Sequence, residues 1–541
     1  MGSEHFDVVI LGGGLAGGCL ARQLRLETPQ LRTLVVEKRA HPVPEAAFKV
    51  GESSVEIGAH YFATRLGLEP HLRSAQLEKL GLRYFFPQGD NRDITTRVEL
   101  GPPSFPPVPS FQIDRGRLEN MILCSNAELG ISVLHGCRVE AIALAGTGDG
   151  VHGVTIGTQA GPRHVTARWV VDASGRAGLL KRQMGLGRPS THGANASWWR
   201  VKARIKVDDW SSDPAWKARV ASGLRWQSTV HLMGTGYWVW LIPLGSGSHS
   251  LGIVADGDLH PFHRISRFER AMDWLREFEP QFAAVMEAHA DRLEDFLALR
   301  HFAHGCERVF SPQRWALVGE AGVFTDPFYS PGSDFIAMGN DYVCDLIGRD
   351  FAGEAIEERV ESFNTMYLRL FDAFIRLYDG QYRIMGNAQV MTAKVAWDNA
   401  AYWGITALLF FQRRYRQPAF MASIDTLMRR FSVLHVRMQA LLRAWDAADA
   451  GSTYAGAAAN VVDLEFLGGL QASLGQPLMD DEALRARLEA NFARLEAFAR
   501  AWQRLAAERH PSLARLASTS DAAAGDLDLG GLRLSPACAA T

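Results

Sequence analysis

The first forty residues constrain the fold more than any other part of the chain. Phe6 to Leu11 (FDVVIL) reads as a buried strand of β-branched and apolar residues. It runs directly into Gly12, Gly14 and Gly17, a GxGxxG pattern, and then into a helix through Leu26. Gly12 allows the tight turn, Gly14 lets backbone approach a pyrophosphate, and Gly17 lets the helix pack on the strand. The helix start, at Leu15 and Ala16, offers unpaired N–H groups and partial positive charge to phosphate. A second strand, Thr33 to Val36, ends at Glu37, where an acid hydrogen-bonds a ribose hydroxyl, and Lys38 follows. Strand, glycines, helix, strand and terminal acid in this order specify a dinucleotide-binding βαβ unit.

The rest of the chain must be built around that unit. At 541 residues it is too long for one ordinary core and implies two or three packed domains. Fifty-seven basic residues nearly balance fifty-nine acidic ones, so no global field favours nucleic acid or an anionic membrane. The six cysteines are scattered and form no CxxC pair, which argues against structural zinc or a disulfide scaffold and fits a reducing cytoplasm. No metal site is expected. No signal peptide precedes the first strand, and the most apolar later run, Ala400 to Phe411, is about half the length of a membrane span. No internal repeat is visible.

Three further segments narrow the nucleotide. Trp169 to Arg176 (WVVDASGR) is a strand ending in a polar, glycine-containing turn. Arg314 to Pro327 (RWALVGEAGVFTDP) is another strand followed by glycines, an acid and a proline. Gln112 to Glu119 (QIDRGRLE) places Arg115 just before a helix. With these segments the chain resembles, over roughly residues 5 to 345, the FAD enzymes built like aromatic hydroxylases, and within them the flavin-dependent halogenases. The resemblance implies that Asp326 holds the FAD ribityl chain, that Arg115 lies near the cofactor, and that Gly51, Glu52 and Ser53 form a loop close to the flavin. The Asp172 to Gly175 turn reads Asp-Ala-Ser-Gly, as in halogenases and some reductases, rather than carrying the Asp-Gly of nicotinamide-using hydroxylases. Only one complete fingerprint is present, since Gly185-Leu186-Gly187 follows no good strand. The expectation is therefore FAD, reduced by a separate NAD(P)H flavin reductase.

Two segments match halogenase signatures. Tyr237 to Pro243 (YWVWLIP) contains WxWxIP, an alternating strand with Trp238 and Trp240 on one face and Val239 and Leu241 on the other. In the family this strand lies beside the flavin. Lys79, in LEKLGLRYFF, lies twenty-eight residues after Gly51 and precedes the strand Leu82 to Phe86. The family's lysine at this place receives hypohalous acid and delivers it to the substrate. That chemistry needs a compact cation in a partly desolvated place, where its pKa falls and three donors can rotate. Lys49 is a weaker competitor.

The loop after Asp326 reads Phe328-Tyr329-Ser330-Pro331-Gly332-Ser333. The resemblance places Ser330 and Gly332 next to the flavin and halide on Gly332 and Ser333. Tyr329 stands where tryptophan halogenases carry a glutamate, which argues against free tryptophan and suits phenol or pyrrole rings. Pro331 has no N–H, so one donor to a halide is missing.

Residues 356–509 read as wholly helical, with apolar positions at three- and four-residue spacing between Asp481 and Arg509. Trp397 to Phe420 can be core, a substrate lid, or a docking surface for an acidic carrier protein.

The fold expected is an α/β FAD-binding, Rossmann-like domain of aromatic-hydroxylase type over residues 1–350. A substrate-binding β-sheet is interleaved at about 80–115 and 190–300, and a helical C-terminal domain at 351–511 covers the substrate side. Residues 512–541 read as a flexible tail. The function expected is a secondary-metabolism halogenase using reduced FAD, dioxygen and chloride or bromide on an electron-rich aromatic, free or carrier-tethered, with hypohalous acid relayed by Lys79. The alternatives are an aromatic monooxygenase on the same scaffold and an isoprenoid-type saturating reductase. The residue that removes the ring proton is not named by the sequence.

Overall fold

The computed structural model describes residues 4–146, 150–454, 458–517 and 527–536. The βαβ unit forms as expected: strand Glu4–Leu11, helix Leu15–Glu27 and strand Thr33–Glu37. The first strand lies at the centre of a sheet, parallel to Thr33–Glu37 on one side and to Gly161–Asp172 on the other. Trp315–Leu317 pairs in parallel with the far end of Gly161–Asp172, and Ser132–His135 extends the opposite edge. Val8, Val9, Ile10, Val35, Val170 and Val171 are all fully buried, as strands covered on both faces must be. Three strand ends, Leu11, Glu37 and Asp172, converge at one edge, where ligands bind in open α/β sheets.

A second, mixed sheet carries the remaining signatures. Its strands run in the order Leu293–Leu299, Ala194–Val201, His249–Asp256, Tyr237–Pro243, Thr229–Gly234, Leu82–Phe86, Val98–Leu100 and Ala458–Ala459. The tryptophan strand is therefore internal and buried along its whole length. Its two faces enter different cores. Trp238, Trp240 and Ile242 join the main core, whereas Tyr237, Val239 and Leu241 pack with Trp199, Trp274 and Phe282. This is the alternation read from the sequence.

The C-terminal region is mostly helical. In the helix Asp481–Arg509 the stripe Leu484, Leu488, Phe492, Leu495, Phe498, Trp502 and Leu505 is buried, each side chain contributing about 2 kcal/mol relative to exposure. Two features differ from expectation. The short strand Ala458–Ala459 leaves this region and pairs with Val98–Leu100, tying it to the second sheet. Residues 527–536 are docked rather than loose: Leu532 and Leu534 are buried, and Gln389 bonds the backbone of both. Apolar positions in an Ala- and Gly-rich segment are enough to seat it. Residues 512–517 continue a short helical turn, Pro511–Ala517, and the remaining parts of the expected tail, 518–526 and 537–541, lie outside the described residues. No helix among the described residues is long and apolar enough to cross a membrane.

Candidate active site

The glycine loop is shaped for a nucleotide. Gly12 has φ +117°, and a Cβ there would lie 2.4 Å from the Ala173 carbonyl oxygen. A Cβ on Gly17 would lie 1.9 Å from the Gly12 oxygen, so backbone fills both places. Gly14 differs, because a Cβ there would meet only flexible side chains, the nearest atom being Lys49 Nζ at 2.8 Å. That is the cradle a pyrophosphate requires. The Gly13 N–H donates to Glu37 Oε2 at 2.8 Å, which holds the carboxylate at the loop where a ribose would reach it. The residues thus fit FAD. Gly12, Gly14, Leu15, Ala16 and Gly17 would hold its phosphates and Glu37 its ribose, with the exposed Lys38 beside them.

Lys49 and Arg115 belong to this side of the molecule. Both pair with the buried Glu119, whose carboxyl they pull below the usual range against its burial. Arg115 Nη1 also donates to the Val50 carbonyl at 2.5 Å, beside Gly51. Gly51 itself has φ +89°. Lys49, the weaker competitor to Lys79, is thus paired with Glu119 beside the glycine loop.

Asp326, the acid the resemblance assigns to the ribityl chain, is engaged within the protein. Its carboxylate accepts from His192 Nε2 at 2.6 Å, Tyr382 Oη at 2.5 Å and the Phe328 N–H at 2.9 Å, and its side chain is wholly buried. With three donors satisfied inside the protein, it serves as an internal strut. The acid of that segment left half-exposed at the sheet edge is Glu320, near Arg176. It sits next to Gly319, where a Cβ would lie 2.9 Å from that of Ala16 in the nucleotide helix.

Sequence-distant signatures meet through the Gly51-Glu52-Ser53 loop. Trp240 Nε1 donates to Ser250 Oγ at 3.2 Å, and Ser250 Oγ donates to Glu52 Oε2 at 2.6 Å. Arg200 pairs with Glu52 at 2.8 Å and with Asp295 at 2.8 Å. Trp238 Nε1 donates to Tyr382 Oη at 3.1 Å, so the second tryptophan joins the Asp326 strut.

On the other side of the same loop stands Lys79. Its Nζ donates to Ser53 Oγ at 3.0 Å and to the Ser54 carbonyl at 2.7 Å. Its backbone is fixed by Ser110, whose carbonyl accepts the Lys79 N–H at 2.8 Å, next to the pairing of Leu77–Glu78 with Phe111–Gln112. The residue is 1% exposed. Burial brings its pKa down from 10.5 to about 7, against the pull of Glu56 and Asp334. Asp334 shows the converse: burial raises its carboxyl to about 7, although the Tyr402 hydroxyl and the Gly58 N–H donate to it.

Lys79, Glu56 and Asp334 line one cavity of about 190 Å³. Its lining includes Tyr84, Tyr329, Tyr402 and Trp403 and the proline-rich loop around Phe105. Pro331 also lines it and immediately precedes the helix Gly332–Phe351. Gly332 and Ser333 open this helix, and first-turn amides have no intrahelical acceptors, so their N–H groups remain available although Pro331 has none. Ser333 Oγ is buried and has no partner among the described residues. Ser330 adopts φ +59° in the turn before.

The segment Trp397 to Phe420 is core and cavity wall together. Trp397, Phe410 and Phe411 are buried, and Tyr402 and Trp403 face the cavity. Arg416 pairs with Glu27 and Asp341, and Arg414 with Asp481, so these arginines are engaged within the chain. Tyr402 and Trp403 belong to the stretch for which a substrate lid was one reading, whereas Glu56 and Asp334 were not singled out by the sequence. The period-2 and glycine signals that mark strands and turns do not mark them.

Fold and site together define an FAD-dependent oxidoreductase. The family described as FAD binding domain matches residues 5–228. The chain is 26% identical over 454 residues to the flavin-dependent halogenase chlA of Dictyostelium discoideum, covering 77% of this chain and 72% of that one. It is 24% identical to the 1H-pyrrole-2-carbonyl-[peptidyl-carrier protein] chlorinase of Pseudomonas fluorescens, covering 71% of this chain and 88% of that one. The crystal structure of halogenase PltM in complex with phloroglucinol and FAD superposes with a TM-score of 0.63 at 16% identity, over 91% of this chain and 98% of that one. The resemblance to the flavin-dependent halogenases drawn from the motifs holds.

Proposed function

We propose that the protein halogenates an electron-rich, phenol- or pyrrole-like ring, using chloride or bromide, dioxygen and FAD reduced by a separate reductase. The observation that carries this reading is the placement of Lys79: buried, hydrogen-bonded to the loop beside the cofactor region, and lining an aromatic-walled cavity. Reduced FAD, when bound, would supply the electrons that activate dioxygen, the oxidant that turns halide into hypohalous acid. The protein's own residues do the rest. Ser53 and Ser54 hold the Lys79 amine in place, so that its remaining N–H can bind the oxidant. The aromatic walls hold a flat ring and exclude bulk water, into which the oxidant would otherwise escape. Gly332 and Ser333 amides, at a helix N-terminus, suit a halide.

Tyr329 donates to Asp398 at 2.9 Å and presents no carboxylate to the cavity, in keeping with a substrate other than free tryptophan. A carrier-tethered substrate, as the names of two pyrrole-modifying relatives describe for those proteins, is a second form in which the ring could arrive. Five free cysteines among the described residues suit a reducing cytoplasm.

The decisive experiment supplies reduced FAD, air and bromide with a panel of phenols, pyrroles and indoles, and reads bromine isotope doublets by mass spectrometry. Wild type should brominate a phenol or pyrrole. Lys79→Ala should lose at least about 100-fold of that product while flavin oxidation continues, with peroxide or free hypobromous acid released. Undiminished bromination by the alanine variant would remove Lys79 from the mechanism. Hydroxylated product from both proteins, without bromide incorporation, would establish a monooxygenase instead.

A further inference from the structure

Replacing a ring hydrogen by halogen leaves a proton to be removed. Three carboxylates line the cavity with Lys79, and their hydrogen bonds distinguish them. Asp398 is occupied on both oxygens: Tyr329 and Lys394 reach Oδ2, and Gln439 donates to Oδ1. Asp334 is 0% exposed, and its two oxygens accept from Gly58 and Tyr402. Glu56 is 8% exposed and has both its donors on one oxygen, Trp403 Nε1 at 2.9 Å and Gln471 Nε2 at 2.8 Å reaching Oε1. Among the described residues no donor meets Glu56 Oε2.

We propose that Glu56 is the catalytic base that takes the ring proton, its Oε1 fixed by Trp403 and Gln471 and its Oε2 open to the cavity that Lys79 also lines. The assignment rests on the halogenase reading above. In the step, the bond from ring carbon to halogen forms as the halogen–oxygen bond of hypohalous acid breaks. The oxygen leaves as water, taking a proton from the Lys79 ammonium. The ring C–H pair returns to the ring, and its proton passes to Glu56 Oε2. Transfer from the Glu56 carboxylic acid to the neutral Lys79 amine restores both groups, so the sum is ArH + HOX giving ArX + H2O.

Several features suit this cycle. A lysine whose pKa has fallen to about 7 gives up and regains its proton near neutrality. Asp334 stays hydrogen-bonded to Tyr402, with a carboxyl raised to about 7. His231, also close to Lys79, is kept neutral by burial, its pKa lowered to about 3.

Glu56→Gln tests the assignment, because the amide oxygen keeps both donors while the base is lost. With FAD-loaded protein, reduced flavin, bromide and a phenol that wild type brominates, kcat should fall about 100-fold with KM changed less than about threefold. A ring-deuterated phenol should show a primary isotope effect in the variant that is absent or small in wild type, which a merely structural role would not produce. Glu56→Asp should recover part of the rate. A readout independent of turnover is the titration of Lys79 by 15N-lysine NMR, tractable because the chain has eight lysines. Its midpoint should fall in Glu56→Gln, since the Glu56 charge raises it. FAD content and melting temperature show whether each variant is folded, and if glutamine fails to fold, Glu56→Asp carries the same rate and isotope measurements. Wild-type kcat, no isotope effect and an unmoved Lys79 midpoint in a folded variant would overturn the role of Glu56 and leave the halogenase reading intact. Absence of bromination by wild type across the panel would overturn that reading and the role of Glu56 with it, whatever the Lys79 midpoint does.

Discussion

A lysine amine normally titrates near 10.5, and Lys79 is held at about 7 by burial. The sign of the consequence follows from linkage. Between these values the unfolded chain holds a proton that the folded protein does not. The amine is therefore without cost only above the unfolded value, and stability is lost as pH falls toward 7. Set against the two hydrogen bonds it makes, the amine costs about 2 kcal/mol at neutral pH. Lys79→Met should accordingly melt several degrees higher than wild type at pH 7, with the difference shrinking by pH 9.5, as followed by calorimetry. The same depression limits activity from above. The ammonium form disappears as pH rises through about 7, so halogenated product per flavin oxidised should decline on that limb. At this scale the sequence was partly legible. Lys79 was marked out by the family resemblance, but its serine partners and its lowered pKa depend on three segments meeting, which periodicity does not encode. The partners of Asp326 were illegible for a similar reason, because His192 and Tyr382 reach its carboxylate from elsewhere in the chain.

At the scale of the element, the glycine loop was the most legible feature, and the structure separates its three glycines by what each excludes. A side chain at Gly17 collides with Gly12 backbone, whereas one at Gly14 displaces only the end of Lys49. Gly14→Val should therefore fold with a melting temperature near that of wild type's apoprotein yet fail to bind FAD, measured by absorbance after reconstitution. Gly17→Val should fold poorly or not at all. Stoichiometric FAD in the Gly14 variant would show that the phosphates lie elsewhere. The tryptophan strand was equally legible, since strict alternation over a whole strand fixes which residues share a face. What alternation could not show is that the faces enter two separate cores, or that Trp240 is tied through Ser250 to Glu52. The short strand Ala458–Ala459 escaped notice because two alanines in a helical context carry no strand signal.

At the scale of the molecule, a single dinucleotide-binding βαβ unit is present among the described residues, and Gly187–Pro189 forms part of a small ribbon with His304–Cys306 rather than a second one. NADPH alone should then reduce bound FAD slowly under anaerobic conditions, and a general flavin reductase should restore fast bleaching at 450 nm. Rapid bleaching without the reductase would reveal a nicotinamide site. The division between nucleotide sheet and helical region was legible from composition and period. Their joint authorship of the cavity was not, because no local pattern announces that a wall is completed four hundred residues away.

That shared wall has a further consequence. Glu56 and Lys79 come from the N-terminal part of the chain, whereas Tyr402, Trp403 and Gln471 come from the helices that follow. In the proposed reading, the residues that would handle the oxidant and those that would shape the ring's surroundings are thus written in separate stretches of the gene, and Glu56 is one of the places where they meet. Such a partition lets substitutions accumulate on the substrate half and change which ring is accepted, while the machinery for the dangerous reagent is inherited intact.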